Sequence, residues 1–478
     1  MRAPVRSGIS RRELLQGTAW AAGGLLSAGA LAGCAGRTAS AQPTVAAPST
    51  ILLASIPFQG NGNYQGTMQQ LMEEYIAQNW TASHPGVEVK TIAGSAANGA
   101  NQSAQQVTLL TLAGQPPDTV CGCCTDIQTY FVGNVLLPLD AFIKADNIDL
   151  TDFSPGHLQG LQDGTGRQMA LPQYDGPETL VYNQGALDQL GLEYPAPNWT
   201  YLDATQMWQG IAGAKGTKRV YGAGLDTGDP EWLVHGWGGS IGSPDGTQAL
   251  LNSSQAVAAF TWMVGLLNNK VISNGGPDTV KSGQNVFAAC GGWDVQYTAL
   301  NYQGMKWDFA PMPQFPGGSP STFINNDFNG INAFTKNPQD LVWDLFKFIT
   351  LDAGMQAFQF KTTFVTPNRK SLWPQWIEII QSEAPPLKGK HLEYFQQAVD
   401  YGWPTYFFKY DAIQANTTEG SWINKITGGQ IDVQGGLQQA TTQLNGMEAE
   451  GAAMAASPSQ AKNYPTQGTP IAIVATGI

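Results

Sequence analysis

After residue 50, apolar and polar residues follow a pattern that switches between strand and helix spacing. The apolar run that starts at Ile51 and the alternating segment 87–92 predict two strands, and 116–122 predicts a third after a proline break. The intervening segments 64–80 and 103–114 carry apolar residues at helical spacing. A β-α-β-α-β order requires parallel strands with helical crossovers, so the pattern predicts an α/β fold.

Two later segments have the apolar spacing of long helices. Ser253 precedes the first of them. We expect it to cap that helix, because a serine hydroxyl accepts a hydrogen bond from the unpaired amides of a first helical turn. The second segment, 338–360, carries a continuous apolar stripe. Both segments therefore predict helices that cover a core.

The first 33 residues have the pattern of an export signal. Arg11 and Arg12 precede an uncharged apolar run, 17–31. That run is shorter than the roughly 20 residues that a membrane-spanning helix needs. Residues 1–33 are therefore predicted to be a signal peptide that is removed. The paired arginines resemble a twin-arginine signal, although Leu and Gln follow where that pattern more often has Phe and Lys.

The signal ends in LAGC, which resembles a bacterial lipobox. This resemblance implies that Cys34 becomes the N-terminus and is lipidated, so that the exported protein is anchored to the outer face of the cell membrane or lies in the periplasm. Residues 34–50 are rich in small residues and proline, which predicts a flexible tether. At the other end of the chain, 452–478 is predicted to be a loose tail.

The charge balance limits the classes of ligand and chemistry. The chain has 36 acidic and 24 basic residues and a net charge of -12, so it lacks the basic surface that nucleic-acid binding needs. Four histidines and no His-rich tract argue against uptake of zinc or nickel. The sequence contains no HExxH motif, no phosphate-binding loop and no recognisable Ser-His-Asp arrangement. We therefore predict no catalytic residues, no metal site and no cofactor.

Four cysteines remain once Cys34 is assigned to the lipid: Cys121, Cys123, Cys124 and Cys290. In an oxidising compartment such a set favours a disulfide. The CGCC cluster lacks the C-x-x-C spacing and nearby histidines of a zinc site, so we expect a disulfide rather than a metal. The pairing stays open, because a bridge between adjacent cysteines is strained and Cys290 belongs to a distant strand.

A series of motifs gives a family resemblance over most of the chain. Segment 166–203, GRQMALPQYDGPETLVYNQGALDQLGLEYPAPNWTYLD, resembles the signature region of extracellular solute-binding proteins of bacterial ABC importers. Its parts are a strand ending in LP, a turn, a strand ending in YN, a short helix and P-x-x-W. The pieces PPDTV, LLPLDAFI, AACGGWDV, FAPMPQFPGG and VTPNRKSL occur in the order expected for the maltose-type members.

The resemblance implies an α/β, two-lobed fold of the periplasmic-binding-protein type (type II), with a ligand cleft between lobes that are joined by hinge crossings. The lobes are expected at 51–174 plus 327–375 and at 175–326 plus 376–451. The crossings are expected near 174–177, 325–329 and 372–381. Closure of such a cleft is a hinge rotation.

Trp293 is a ligand candidate because it follows two glycines at the turn between a strand and a helix. In the maltose-type pattern a tryptophan here stacks on a sugar ring, and an indole face suits the C–H face of a pyranose. Asp294 either binds hydroxyl groups or caps the next helix. The other candidates are polar and aromatic residues. Asp126 follows the third strand, where members of this family often supply ligand groups, Tyr174 and Asp175 lie at the first crossing, and Asn63 and Tyr64 precede the first helix, whose amides can also bind polar ligands. The remaining candidates are Asp229, Glu231, Trp232, Trp403 and Tyr406. For Tyr174 and Asp175 hinge hydrogen bonding is the alternative, and several of the aromatic residues are expected in the core.

The resemblance implies a binding protein without catalytic activity. We expect a monomer that captures a small solute, by preference a sugar or oligosaccharide, and delivers it to the transmembrane subunits of an ABC permease. The acidic and aromatic candidates also suit a polyamine, which charge and cation–π contacts would hold. A secreted glycosidase with two carboxylates is the less favoured alternative.

Overall fold

The computed structural model describes residues 49–55, 63–64, 68–93, 101–123, 126–163, 165–214, 219–227, 231–325, 327–404, 408–410 and 412–456. All of them belong to one compact unit, Ala47–Ile478. The signal peptide, Cys34, Cys124, Asp229, Tyr406 and the segment beyond residue 456 lie outside the described residues, and so do the predictions made for them.

The described strands and helices alternate along the chain. The strands are β1 (Ser49–Ser55), β2 (Val87–Ala93), β3 (Thr119–Gly122), β4 (Ala170–Pro172), β5 (Gly176–Asn183), β6 (Tyr221–Leu225), β7 (Ile272–Asn274), β8 (Asn285–Gly291), β9 (Trp307–Ala310), β10 (Thr322–Asn325), β11 (Phe328–Ile331) and β12 (Gly402–Trp403). The helices of the first half are α1 (Met68–Asn79), α2 (Asn101–Leu112), α3 (Asp126–Val132), α4 (Asp140–Ala145), α5 (Pro155–Gly160), α6 (Gln184–Leu190), α7 (Tyr201–Ala212) and α8 (Glu231–Gly236). Those of the second half are α9 (Ser254–Asn268), α10 (Pro277–Lys281), α11 (Val295–Asn301), α12 (Gln339–Leu351), α13 (Ala353–Thr363), α14 (Trp373–Glu383), α15 (Glu393–Ala398), α16 (Ala412–Thr427) and α17 (Val433–Ala456).

The first sheet has five strands in the order β2-β1-β3-β11-β4. Strand β1 pairs in parallel with β2 and with β3, which confirms the parallel β-α-β-α-β unit predicted from the apolar pattern. Strand β11 returns from much later in the chain and lies antiparallel between β3 and β4. Its first residue, Phe328, lies opposite both Gly122 and Pro172.

The second sheet has seven strands, with β12-β10-β5-β8-β6-β7 in order and β9 beside β5. Strand β5 pairs antiparallel with β8 along one edge, and with both β9 and β10 along the other. Strand β6 joins β8 to β7 in parallel. The sheet is therefore mixed, and β5 is its central strand.

Helices cover both faces of each sheet, because successive side chains of a strand point in opposite directions. In β5, Leu180 packs with Trp208 of α7, whereas its neighbour Val181 packs with Trp373 and Trp376 of α14. The same division holds in the first sheet, where separate buried clusters contain α1 and α12 on one side and α2 and α3 on the other. Burial of each large apolar side chain contributes about 1.5–3 kcal/mol.

Polar side chains cap the first turns of two long helical segments. The hydroxyl of Ser253 accepts a hydrogen bond from the amide of Ala256 at 3.3 Å, which confirms the predicted cap of α9. The predicted helical segment 338–360 is two helices, because Asp352 ends α12 and caps α13 through the amide of Met355 at 2.8 Å. In the described part of the chain, no helix combines the length and the apolar character that a membrane span requires.

Three short segments connect the two sheets. Residues 173–175 lead from β4 to β5, and Asp327 directly precedes β11, where the chain returns from β10 to the first sheet. The third segment, 364–369, follows α13; in it the side-chain amide of Asn368 donates to the carbonyl of Pro172 at 3.0 Å. The third crossing was expected near 372–381. Segment 364–369 comes before that range, and α14, which covers most of the range, packs in a core of the second sheet.

Candidate functional site

Trp293 lies at the junction of the two sheets. Strand β8 ends at Gly291, and a 3-10 turn, Gly292–Asp294, leads into α11, so the predicted strand–turn–helix position of Trp293 is confirmed. Its indole covers two backbone positions that have no side chain. A Cβ at Gly291 would lie 2.3 Å from the ring, and a Cβ at Gly176 would lie 3.1 Å from it. Both glycines are therefore needed for the ring to reach the first residue of β5.

Glu178 and Asn325 share the sheet face that Trp293 covers. Glu178 is directly opposite Gly291, and Asn325 is directly opposite Gly176. Directly opposed residues of antiparallel strands project to the same face, so the carboxylate and the amide lie beside the indole. Glu178 and Asn325 are 6% and 8% exposed. An aromatic ring with an amide and a carboxylate beside it suits a polyhydroxylated ligand.

A second group of polar side chains continues from this face into the crossings. Asp327 accepts hydrogen bonds from Tyr174 and Asn325, which lie in the first crossing and at the end of β10. Burial raises the pKa of Asp327 well above its usual range, and the nearby charge of Asp126 raises it further. Its Oδ2 atom has no hydrogen-bond partner among the described residues. The crossing therefore holds a buried carboxyl group with one oxygen that no described residue satisfies.

Asp126 is the first residue of α3, the helix that follows β3. Its Oδ2 accepts a hydrogen bond from the amide of Cys123 at 3.2 Å, whereas its Oδ1 has no partner in the described part of the chain. Its position is close to Gly122 and Phe328, because a Cβ at Gly122 would lie 2.8 Å from the Cβ of Asp126 and 2.9 Å from the ring of Phe328. Burial raises the pKa of Asp126 to about 7. Asp126, Tyr174, Asp327, Asn325 and Trp293 thus form a chain of neighbours from one sheet to the other.

Asp294 accepts a hydrogen bond from a residue that precedes it and does not cap the helix that follows it. Its Oδ2 accepts from the amide of Gly291 at 3.2 Å, and its side chain makes no capping bond to α11. Burial raises the pKa of Asp294 to about 6. The carboxylate therefore stiffens the turn that carries Trp293.

Asp175 is fully buried in the first crossing. Its carboxylate and the imidazole of His157 form a hydrogen-bonded pair, with 2.8 Å between Oδ1 and Nδ1. Its own amide donates to the carbonyl of Pro367 in the third crossing at 2.9 Å. Desolvation raises the pKa of Asp175, and His157 and Lys370 oppose that change.

The remaining candidates lie elsewhere. Asn63 donates to the carbonyl of Glu383 at 3.4 Å, and the ammonium of Lys361 lies 5.9 Å from the centre of the Tyr64 ring. Glu231 and Trp232 are buried in α8, with Trp232 in the main core of the second sheet. Trp403 is 44% exposed and stacks on His235 with 3.9 Å between ring centres. For each of these residues, ligand contact stays a prediction.

Three residues of the cluster were not among the sequence candidates: Glu178, Asn325 and Asp327. Glu178 is the one charged residue of β5, which is a signal that sequence reasoning could have used. Asn325 and Asp327 lie at the return crossing. The resemblance predicted a crossing near 325–329, but it assigned no ligand-binding residues there.

The expected disulfide stays a prediction, because Cys124 lies outside the described residues. Cys121 is in β3 of the first sheet and Cys290 is in β8 of the second, and no disulfide joins Cys290 to Cys121 or Cys123. Burial raises the pKa of the Cys290 thiol. No three His, Cys, Asp or Glu side chains are grouped as metal ligands within the described ranges.

The chain belongs to the family of bacterial extracellular solute-binding proteins, whose model matches residues 61–356. A relative from Deinococcus radiodurans, described as a probable ABC transporter-binding protein, is 26% identical over 238 residues, which are 46% of this chain and 55% of the relative. The chain therefore spans about half the length of that relative. Members of this family bind solutes rather than convert them.

Solved structures show the same fold. The cyclic alpha-maltosyl-1,6-maltose binding protein of Arthrobacter globiformis has a TM-score of 0.68 and 19% identity, with 84% of this chain and all of that chain covered. An ABC substrate-binding protein of Listeria monocytogenes in complex with cycloalternan has a TM-score of 0.67 and 18% identity, with 84% and 99% covered. The protein therefore has the predicted two-lobed α/β fold of periplasmic binding proteins, with each of the two sheets at the centre of a lobe.

Proposed function

We propose that this protein is the receptor of an ABC importer and that it captures a sugar or oligosaccharide between its two lobes. One observation carries the proposal: the Trp293 ring lies at the junction of the lobes beside Glu178 and Asn325. The ring offers an apolar face to a pyranose, and the two polar groups offer partners for its hydroxyls. The sugar ligands of the structural relatives are consistent with this assignment.

A thermal-shift screen over sugars, polyols and polyamines, followed by isothermal titration of each hit, tests the proposal. We expect a sugar to raise the melting temperature of wild-type protein and to bind with one-to-one stoichiometry. Analysis of the sugar after incubation separates a receptor from an enzyme, because a receptor returns it unchanged. Turnover would support the alternative of a secreted carbohydrate-active enzyme.

A cationic solute such as a polyamine or an amino sugar is a second candidate. Asp126 and Asp327 are each 1% exposed and form no ion pair with any Lys, Arg or His among the described residues. A ligand ammonium group would supply the missing positive charge, and Trp293 would add a cation–π contact. Glucosamine and N-acetylglucosamine are a matched pair for this test, because the acetyl group removes the charge. Binding of the charged member alone would favour the cationic class.

The proposal includes the boundaries of the two lobes and the location of the protein. The lobes consist of 51–174 plus 327–375 and of 175–326 plus 376–451, although the crossing at 364–369 favours an earlier end for the first lobe. Export through the signal at 1–33 and lipidation of Cys34 would hold a monomeric receptor at the membrane, where it delivers its solute to the permease subunits. The extracellular family supports this location.

A further inference from the structure

The buried pair of His157 and Asp175 lies where three parts of the molecule meet. Asp175 is in the first crossing, and both of its main-chain groups bond to the third crossing: its amide donates to Pro367, and its carbonyl accepts from the hydroxyl of Thr366. Its carboxylate bonds to His157, and both side chains are 0% exposed. Asp175 is thus held from three directions, with its carboxylate turned toward α5.

Helix α5, which carries His157, contacts both sheets. It packs against β4 of the first sheet and against β12 of the second. At its second residue, Gly156, a Cβ would lie 3.3 Å from the carbonyl oxygen of Gly402 in β12. The pair therefore joins the first crossing to a helix that also contacts the edge strand of the second sheet.

The third crossing connects Asp175 to the turn that carries Trp293. Thr366 is fully buried, and a Cβ at Gly292 would lie 2.6 Å from its hydroxyl oxygen. Gly292 directly precedes Trp293. A change in the position of Asp175 therefore acts through Thr366 on the backbone that orients the indole.

We propose that the His157–Asp175 pair is a hinge clamp, which fixes the first crossing to the first lobe and, through Thr366, positions Trp293. Asp175 is then a positioning residue and not a contact of the solute. The inference rests on the proposed function, since a clamp has a role only if the lobes close around a ligand. Loss of either partner leaves a buried polar group without its hydrogen-bond partner, so the pair is expected to stay formed in the open and the closed state.

Hydrogen–deuterium exchange of the ligand-free protein tests the clamp without knowledge of the solute. His157→Leu removes the partner of Asp175, and we expect the peptide that covers 173–177 to exchange about tenfold faster. Peptides from β1 and β8 should keep the wild-type rate. The matched control is His391→Leu, because the half-exposed side chain of His391 forms a similar pair with Asp308 at 2.9 Å. Wild-type exchange at 173–177, or an equal increase throughout the protein, would overturn the proposal.

Thr366→Val is the second variant, since it removes one hydroxyl and keeps the buried His157–Asp175 pair. It should also accelerate exchange at 173–177, so the test does not depend on the folding of His157→Leu. Unchanged exchange in a folded Thr366→Val protein would contradict the connection between the crossings.

Titration with maltotriose separates the clamp from a ligand contact. Asp175→Asn keeps an acceptor for the ring N–H of His157, so its affinity should stay within about twofold of wild type, whereas His157→Leu should weaken binding about tenfold. The reverse order would show that Asp175 contacts the solute and would overturn the clamp. If wild-type protein does not bind maltotriose, this sugar is not the ligand. The hydrogen–deuterium exchange experiment still tests whether the His157–Asp175 pair is a hinge clamp.

Discussion

The indole ring of Trp293 lies against the backbone of Gly176, where the first crossing enters the second sheet. The atoms Cε3 and Cζ3 would be 3.1 Å from a Cβ at position 176, and the Cβ of Asn325 would be 3.0 Å from it. These distances are shorter than ordinary van der Waals contact, so a side chain of any size there would displace the ring or the amide. The position of the proposed sugar platform thus depends on a glycine that is far away in the sequence.

Gly176→Ala is predicted to weaken solute binding while the fold is kept. The added methyl group pushes against Trp293 and Asn325, and overpacking of this kind costs about 1–3 kcal/mol. Because the ring is at the lobe junction, part of that cost should appear as a threefold to tenfold loss of affinity, about 0.7–1.4 kcal/mol. Isothermal titration and a melting curve on the same preparation measure both effects.

The control for this prediction is Gly210→Ala. Gly210 is on the exposed side of α7, and no atom lies within 4 Å of an added Cβ. Alanine should stabilise the helix by up to about 1 kcal/mol and leave affinity unchanged. Equal affinity of Gly176→Ala and wild type would remove Gly176 from the site.

Local sequence patterns correctly predicted the structural elements that are determined by residues close together in the chain. The apolar spacing predicted β1, β2 and β3 and their parallel order, and the serine before α9 predicted its cap. The two glycines before Trp293 predicted its turn. Each of these features is determined by residues within one or two turns of one another.

Pairings between distant residues gave no such signal. Strand β11 lies between β3 and β4, and Phe328 meets Gly122 across about 200 residues of chain. Nothing in the sequence near residue 122 indicates that partner. Likewise, Asp175 was a ligand candidate because of its turn, but its bond to His157 depends on how α5 packs. The resemblance therefore placed the site, whereas the structure was needed to separate ligand candidates from hinge groups.

Trp293→Ala is predicted to weaken binding tenfold to a hundredfold. Covering about 100 Å² of apolar surface in a largely dry cleft is worth about 2.5 kcal/mol before ordering costs. Trp208→Ala is the matched comparison, because Trp208 is 1% exposed in the core of the second sheet and is not a ligand candidate. That change should lower the free energy of unfolding by about 3–5 kcal/mol. A large stability loss with normal affinity in Trp293→Ala would assign Trp293 to the core.

Cys34→Ser is predicted to release the protein from the membrane fraction without a change in affinity. The proposed lipid is the membrane anchor, and the predicted tether at 34–50 would separate it from the binding lobes. Replacement of Arg11 and Arg12 by Lys should block export if the twin-arginine route is used. Fractionation followed by immunoblotting measures both outcomes. Retention of Cys34→Ser at the membrane would argue against the anchor, and normal export of the lysine variant would indicate the general secretory route.

Saturation with the solute found in the screen is predicted to reduce the radius of gyration in small-angle scattering. Closure of two lobes by a hinge rotation brings their centres closer together. The control is Trp293→Ala measured at the same solute concentration, so that the two samples contain the same amount of solute. An unchanged scattering curve under conditions where titration confirms binding would contradict hinge closure.

Asp126→Asn is predicted to reduce the pH dependence of stability. Burial raises the pKa of Asp126 to about 7 in the folded protein, above the value near 3.9 expected for an unfolded chain. The protonated carboxyl group is thus favoured by folding, and this contribution is fully present below about pH 4 and is lost as the pH rises to about 7. With about 1.4 kcal/mol for each pH unit, the loss is at most about 4 kcal/mol.

Melting temperatures of wild type and Asp126→Asn between pH 4 and pH 8 measure this effect. The neutral asparagine should become more stabilising relative to wild type as the pH rises. Asp203→Asn is the opposite control, because Asp203 caps α7 through the amide of Thr200 at 2.8 Å, and these bonds lower its pKa. Its contribution is present above about pH 4 and is lost on acidification, so Asp203→Asn should be less stable than wild type at pH 8. Parallel curves for wild type and Asp126→Asn would show that the carboxylate of Asp126 is solvated or paired in solution, and would weaken the case for a cationic solute.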